Sequence, residues 1–209
     1  TGDFKVSEGH VETLAGGTFA DEINIQVASG AQMTTRQDDV VNSITIDAGA
    51  VFNQDANITT STEILQNGSM NIVNDVVFNT GTAGLKGNGN IDVASDMTMT
   101  IDQSADSTFS GSIAGAGGFV KSNSGTLTLS GAENSLNLQD EVVIEDGVLA
   151  IDGAGILAAT SNIVVRKDAD AETEGTLHLV NGDQDIQGLA GEGLINLGDG
   201  NDFNVENGG

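Results

Sequence analysis

The sequence predicts an all-β chain wound as a parallel β-solenoid of about ten coils, each about 20 residues long. Three observations carry that expectation. The apolar residues are mostly Val, Ile and Leu in short runs, which suits pleated strands. The 209 residues include 29 Gly and no Pro, and no window repeats apolar residues at helical spacing over several turns. Above all, one pattern recurs. Ile25, Val27, Gly30 and Met33 in "INIQVASGAQM" match Ile44, Ile46, Gly49 and Phe52 in "NSITIDAGAVF", 19 residues further on.

Each unit reads as a strand, a glycine corner and a second strand. Alternation places every second side chain on one face, and Gly admits the positive φ of a sharp corner. Leu65, Gly68 and Met70 continue the pattern, and Val142, Ile144, Gly147 and Leu149 in "EVVIEDGVLAI" repeat it. Further strands are expected at residues 97–101, 126–130, 163–165, 176–180 and 194–197. In the fourth-to-last of these neighbours, Leu127 and Leu129 should face inward and Thr126 and Thr128 outward. One unit alone cannot bury its thin apolar edge, but stacked copies cover one another. At ~4.8 Å per coil the stack is about 50 Å long. An antiparallel sandwich uses similar strands, yet 7 Phe without Trp or Tyr would fill its core poorly. Residues 1–209 therefore read as one solenoid segment, expected to be part of a longer secreted protein.

Charge narrows the partners. Six Lys and Arg against 31 Asp and Glu leave a net charge of −25. Such a surface repels nucleic acid and anionic membranes, so neither is an expected partner. The acids are spread singly, as on solvated faces and turns. No run reaches the ~18 apolar residues of a membrane span, so no membrane insertion of this segment is expected. The lack of Cys removes disulfides and thiolate metal sites.

A longer match follows from aligning the units. Gly115, Gly117, Gly118, Phe119 and Lys121 lead into "GTLTLSG" (125–131) and Asn134, then the apolar run 142–144, Gly147 and Leu149. This order and spacing resemble the autotransporter-associated β-strand repeat of passenger domains secreted by Gram-negative bacteria. A second stretch, "GTLHLVNGDQDIQGLAGEGLINLG" (175–198), looks like the continuation such passengers carry. Together the two cover about a third of the chain. Ser135 departs from the pattern, which commonly has an aromatic there, and no Gly-Asp-Ser-Gly protease signature occurs. The resemblance implies a right-handed parallel β-helix at the bacterial surface, serving as a stalk or adhesin. The absence of Cys fits passengers that cross the outer membrane unfolded.

Candidate chemistry is sparse. A nucleophile needs a nearby base, usually His. His178 lies between Leu177 and Leu179 and should point to solvent, while His10 lies near the start of the chain, where fraying is expected. No catalytic residue and no cofactor are expected. A lyase or glycosidase on the same fold would need paired acids, or acids holding Ca²⁺ beside a basic group. Arg36 and Arg166 are the only arginines, and Lys167, Asp168, Asp170 and Glu172 read as a solvated turn. Asp199, Asn201 and Asp202 in "LGDGNDFNVENGG" resemble half of a Ca²⁺-binding nonapeptide repeat and are the one metal candidate; a single copy otherwise makes an ordinary turn. Asn24, Asn53, Asn71, Asn134 and Asn196 are expected to stack as ladders at coil corners. The functional expectation is a non-enzymatic structural or adhesive segment of a secreted cell-surface protein. It would mediate homotypic, biofilm-type contacts, or contacts with matrix polysaccharide or a host surface. The alternatives are a subunit of a self-assembling extracellular fibre and a polysaccharide-active enzyme.

Overall fold

The computed structural model describes residues 2–13, 19, 22–80, 82–167 and 174–206. These residues contain 25 strands and no helix. Strands from successive coils pair in parallel, as the expected solenoid requires. They form three long sheets of ten, seven and six strands, and a short pair at the end of the chain. The ten strands of the first sheet, from Gly2–Val6 to Leu194–Leu197, make nine turns, slightly fewer than the repeat length suggests.

A middle coil shows how the faces follow one another. Gly84–Gly87 lies in the first sheet, Asn90–Val93 in the second and Thr98–Asp102 in the third, before Ser107–Phe109 re-enters the first. Each strand is three to nine residues long, so each face is narrow and the chain turns after a few alternations. The expected strands at 126–130, 163–165, 176–180 and 194–197 appear as Thr126–Leu129, Asn162–Val165, Thr176–Asn181 and Leu194–Leu197.

Register decides the core. Along the first sheet Ile25 pairs with Ile44, Ile44 with Ile64 and Ile64 with Leu85. Along the second, Met33, Phe52, Met70, Ile91, Ile113 and Leu136 stack in one column. Along the third, Met99, Phe119, Val142 and Ile163 do the same. Phe52, Phe78, Phe109 and Phe119 are fully buried and spread over three coils, Phe109 and Phe119 sharing one, so a few aromatics suffice for a slim core. Leu127 and Leu129 are buried beneath partly exposed Thr126 and Thr128, as alternation requires.

Two repeat assignments need correction. Leu65 faces outward and pairs with Thr45, whereas Ile64 and Gln66 occupy the inward positions. The reason is the irregularity between Val41 and Ser43, which shifts this strand by one residue against its neighbour. The unit "EVVIEDGVLAI" has the expected shape but wraps a different corner. Its first strand, Glu141–Ile144, belongs to the third sheet and its second, Val148–Asp152, to the first. The unit "INIQVASGAQM" instead runs from the first sheet to the second.

The glycine corners also have two distinct causes. Gly30 and Gly49 adopt φ of 80° and 81°, a region that disfavours side chains. Gly111 instead lies so close to the coil below that a Cβ would sit 2.0 Å from the Gly89 carbonyl oxygen.

Candidate functional site

The outward faces carry polar side chains at the same position in successive coils, and these bond along the solenoid axis. On the second sheet, Asn71 Nδ2 donates to Asn53 Oδ1 (2.7 Å) and Asn53 Nδ2 to Thr34 Oγ1 (3.1 Å). His10 Nε2 lies 2.9 Å from the same Thr34 hydroxyl. On the first sheet, Asn42 Nδ2 donates to Asn24 Oδ1 (2.7 Å), and Asn24 Nδ2 donates to Asp3 Oδ1 (2.9 Å). Asn24, Asn53 and Asn71 thus form ladders, but on strand faces and not at corners. Asn134 takes a left-handed turn (φ 56°), and its backbone N–H bonds Gly155 O in the next coil. Asn196 pairs in register with His178 on the last strand of the first sheet.

The two histidines belong to this surface. His178 projects outward between fully buried Leu177 and Leu179, as alternation predicts. His10 is not frayed: it opens the strand His10–Glu12, which pairs with Gln32–Thr35.

Lys121 is the residue that sequence reasoning missed. It sits fully buried in an inward column between Ile101 and Ile144. Its ammonium donates to the carbonyl oxygens of Ser122 (2.8 Å), Asn123 (2.7 Å) and Asp146 (3.4 Å), tying the corner between the third and first sheets. Burial lowers its pKa to about 8, against the opposing pull of Asp146, Asp102 and Asp106. One coil earlier Gln103 ties the same corner, donating to Ala105 O (2.9 Å) and Thr126 O (3.0 Å). The signal was in the alternation: Lys121 shares the parity of Phe119. Burying an ammonium is costly without partners, and the corner carbonyls supply them.

Most other cations are engaged at the surface. Arg36 binds Glu12 and reaches Asp55 at 3.1 Å, and the Glu12 contact raises its pKa. Lys86 pairs with Glu63 (3.1 Å), Arg166 with Glu145 (2.8 Å) and Lys167 with Glu174 (4.0 Å). Asp168, Asp170 and Glu172 lie outside the described residues. Lys5 lines a shallow groove of about 420 Å³ with Asp3, Asn24, Gln26, Ser43 and Thr45. A second groove of about 230 Å³ is lined by Asn88, Asn90, Ser112, Glu133 and Asn134.

The acidic turn near the end is used by the backbone. Asn201 Oδ1 accepts the Gly182 N–H (2.8 Å), and its Nδ2 donates to Leu179 O (3.0 Å). The Asp202 N–H donates to Asp183 Oδ1 (2.8 Å), while Asp199 is exposed. Among the described residues no three His, Asp or Glu side chains converge as metal ligands would. No helix among them is long and apolar enough to cross a membrane. No family model, curated protein or solved structure matches this chain.

Proposed function

We propose that the chain is a non-enzymatic stalk or adhesive segment of a secreted bacterial surface protein, of the autotransporter passenger type. The observation that carries this reading is the continuous three-faced solenoid, whose outward rows repeat Asn, Thr, Ser and acidic side chains along the axis. A repeating hydroxyl and amide surface suits many weak, hydrated contacts with sugars or with neighbouring chains. The motif in residues 115–149 adds the family resemblance, and its buried Lys121 and inward Leu127 and Leu129 are used for stacking.

The reading is tested by coating beads with the chain and measuring their retention on surfaces bearing matrix polysaccharide or bacterial cells. Retention above that of uncoated beads supports it. Cleavage of uronate polymers by the purified chain would replace it with the enzymatic reading.

A further inference from the structure

The outward face of the third sheet carries an uncharged stripe. Val77, Thr100, Val120, Val143, Val164 and Ala190 stack in register on six successive strands. None is charged, in a chain with 31 acids. Val77 is 47% exposed, whereas central Val143 is 7% exposed between Val120 and Val164, so the stripe is smooth and closely packed. Glu141 flanks it on one side, with Asn162 in register. Glu145 and Arg166 flank it on the other, 2.8 Å apart.

We propose that this stripe docks onto the same stripe of a second copy, with the two solenoids antiparallel. The inference rests on the adhesive reading and names its partner. Two face-to-face arrangements have two-fold symmetry. With the solenoids parallel, the two flanks exchange and Glu141 approaches Glu145 of the second copy, acid against acid. With the solenoids antiparallel, each flank meets itself in reverse. A two-fold axis between the Val143 and Val164 strands then sets Val143 against Val164. It also sets Glu145 of each copy against Arg166 of the other, and Glu141 against Asn162. The charges select the antiparallel arrangement.

The area sets the strength. About that axis the strands of Val120, Val143, Val164 and Ala190 overlap, while those of Val77 and Thr100 extend past the partner's last strand of this sheet. Four strands ~4.8 Å apart and five residues of ~3.3 Å cover about 300 Å² per copy, the size of a weak, transient contact. The net charge of −25 on each copy opposes contact at low salt. Screening therefore strengthens the pairing as salt rises towards physiological levels.

Sedimentation of the full 209-residue chain tests this, using Val164→Lys, Glu145→Arg, Arg166→Glu and a one-to-one mixture of the last two. The wild type should dimerise with rising concentration, and more readily with added salt. Val164→Lys should abolish dimerisation, and each charge reversal alone should weaken it by about tenfold. The mixture should recover, because both flanking pairs between unlike copies are again opposite in charge. Recovery also shows that both variants are folded. The proposal is overturned by a wild type that stays monomeric to about millimolar, by variants that associate as the wild type does, or by a mixture that does not recover. A monomeric wild type whose beads still adhere to polysaccharide would sink this inference and leave the adhesive reading standing.

Discussion

At the scale of single residues, Lys121 shows why a charge can sit in a β-solenoid core. The corner after Lys121 directs carbonyl oxygens inward, and an ammonium can satisfy three of them where an apolar side chain satisfies none. Replacing Lys121 with Met fills the column but leaves the carbonyls of Ser122, Asn123 and Asp146 without that donor. The expected loss at neutral pH is about 1–3 kcal/mol, read by chemical denaturation. The pH dependence has a definite sign. The native pKa of about 8 lies below the ordinary 10.5. Between those values the unfolded chain holds a proton that the native chain has released, so this group makes stability rise with pH across that window. Below about pH 8 both states are protonated and the contribution is flat. The rise is at most about 1.4 kcal/mol per pH unit. Its presence in Lys121→Met at the wild-type slope would refute the assignment.

At the scale of strands and corners, register separates neighbours of similar hydrophobicity. Ile64 is fully buried, while Leu65 faces outward. Ile64→Ala should cost about 2–5 kcal/mol, whereas Leu65→Ser should change stability by less than about 0.5 kcal/mol. Equal costs for both would mean that the strand is shifted by one residue. The corners give a second contrast. A Cβ on Gly111 meets the Gly89 carbonyl at 2.0 Å and Phe109 Cζ at 2.5 Å, but one on Gly30 meets nothing within 4 Å. Gly30→Ala should cost only the left-handed backbone, about 1–2 kcal/mol. Gly111→Ala should cost more, about 3 kcal/mol or above, because the coils must move apart. Thermal melts of the two variants, compared with the wild type, measure that difference. The repeat in the sequence marked Gly30 as a corner glycine and did not single out Gly111. It could not say which one needs its φ and which one needs the space, since the second depends on the coil below.

At the scale of the whole molecule, stability is nearly one-dimensional, because each coil touches only the coils beside it. The last strand of the first sheet, Leu194–Leu197, has Leu194, Ile195 and Leu197 exposed, while the coils around Phe109 and Leu127 are buried on both sides. Hydrogen exchange should therefore be fastest at Leu194–Leu197 and slowest at Thr126–Leu129. Uniform protection along the chain would show a single cooperative unit instead. The acidic surface acts on every coil. A net charge of −25 repels itself, so moving from low salt to about 0.15 M should raise the melting temperature. A fall with salt would mean that the few ion pairs, such as Arg166–Glu145, outweigh the general repulsion.

Alternation and glycine corners are local and read directly from the chain, so by themselves they reveal the parallel solenoid, the inward Leu127 and Leu129 and the outward His178. Which residues stand above one another depends instead on the pairing of strands from successive coils. Coil length runs from 18 residues, Leu179 to Leu197, to 28, Ile151 to Leu179. A fixed offset near 19 therefore loses register within a few coils. Hence the slip at Leu65, the carbonyl partners of Lys121, the placement of the Asn53–Asn71 ladder on a strand face with Thr34 as its next rung, and the stripe through Val143 became visible only once strands far apart in sequence were paired.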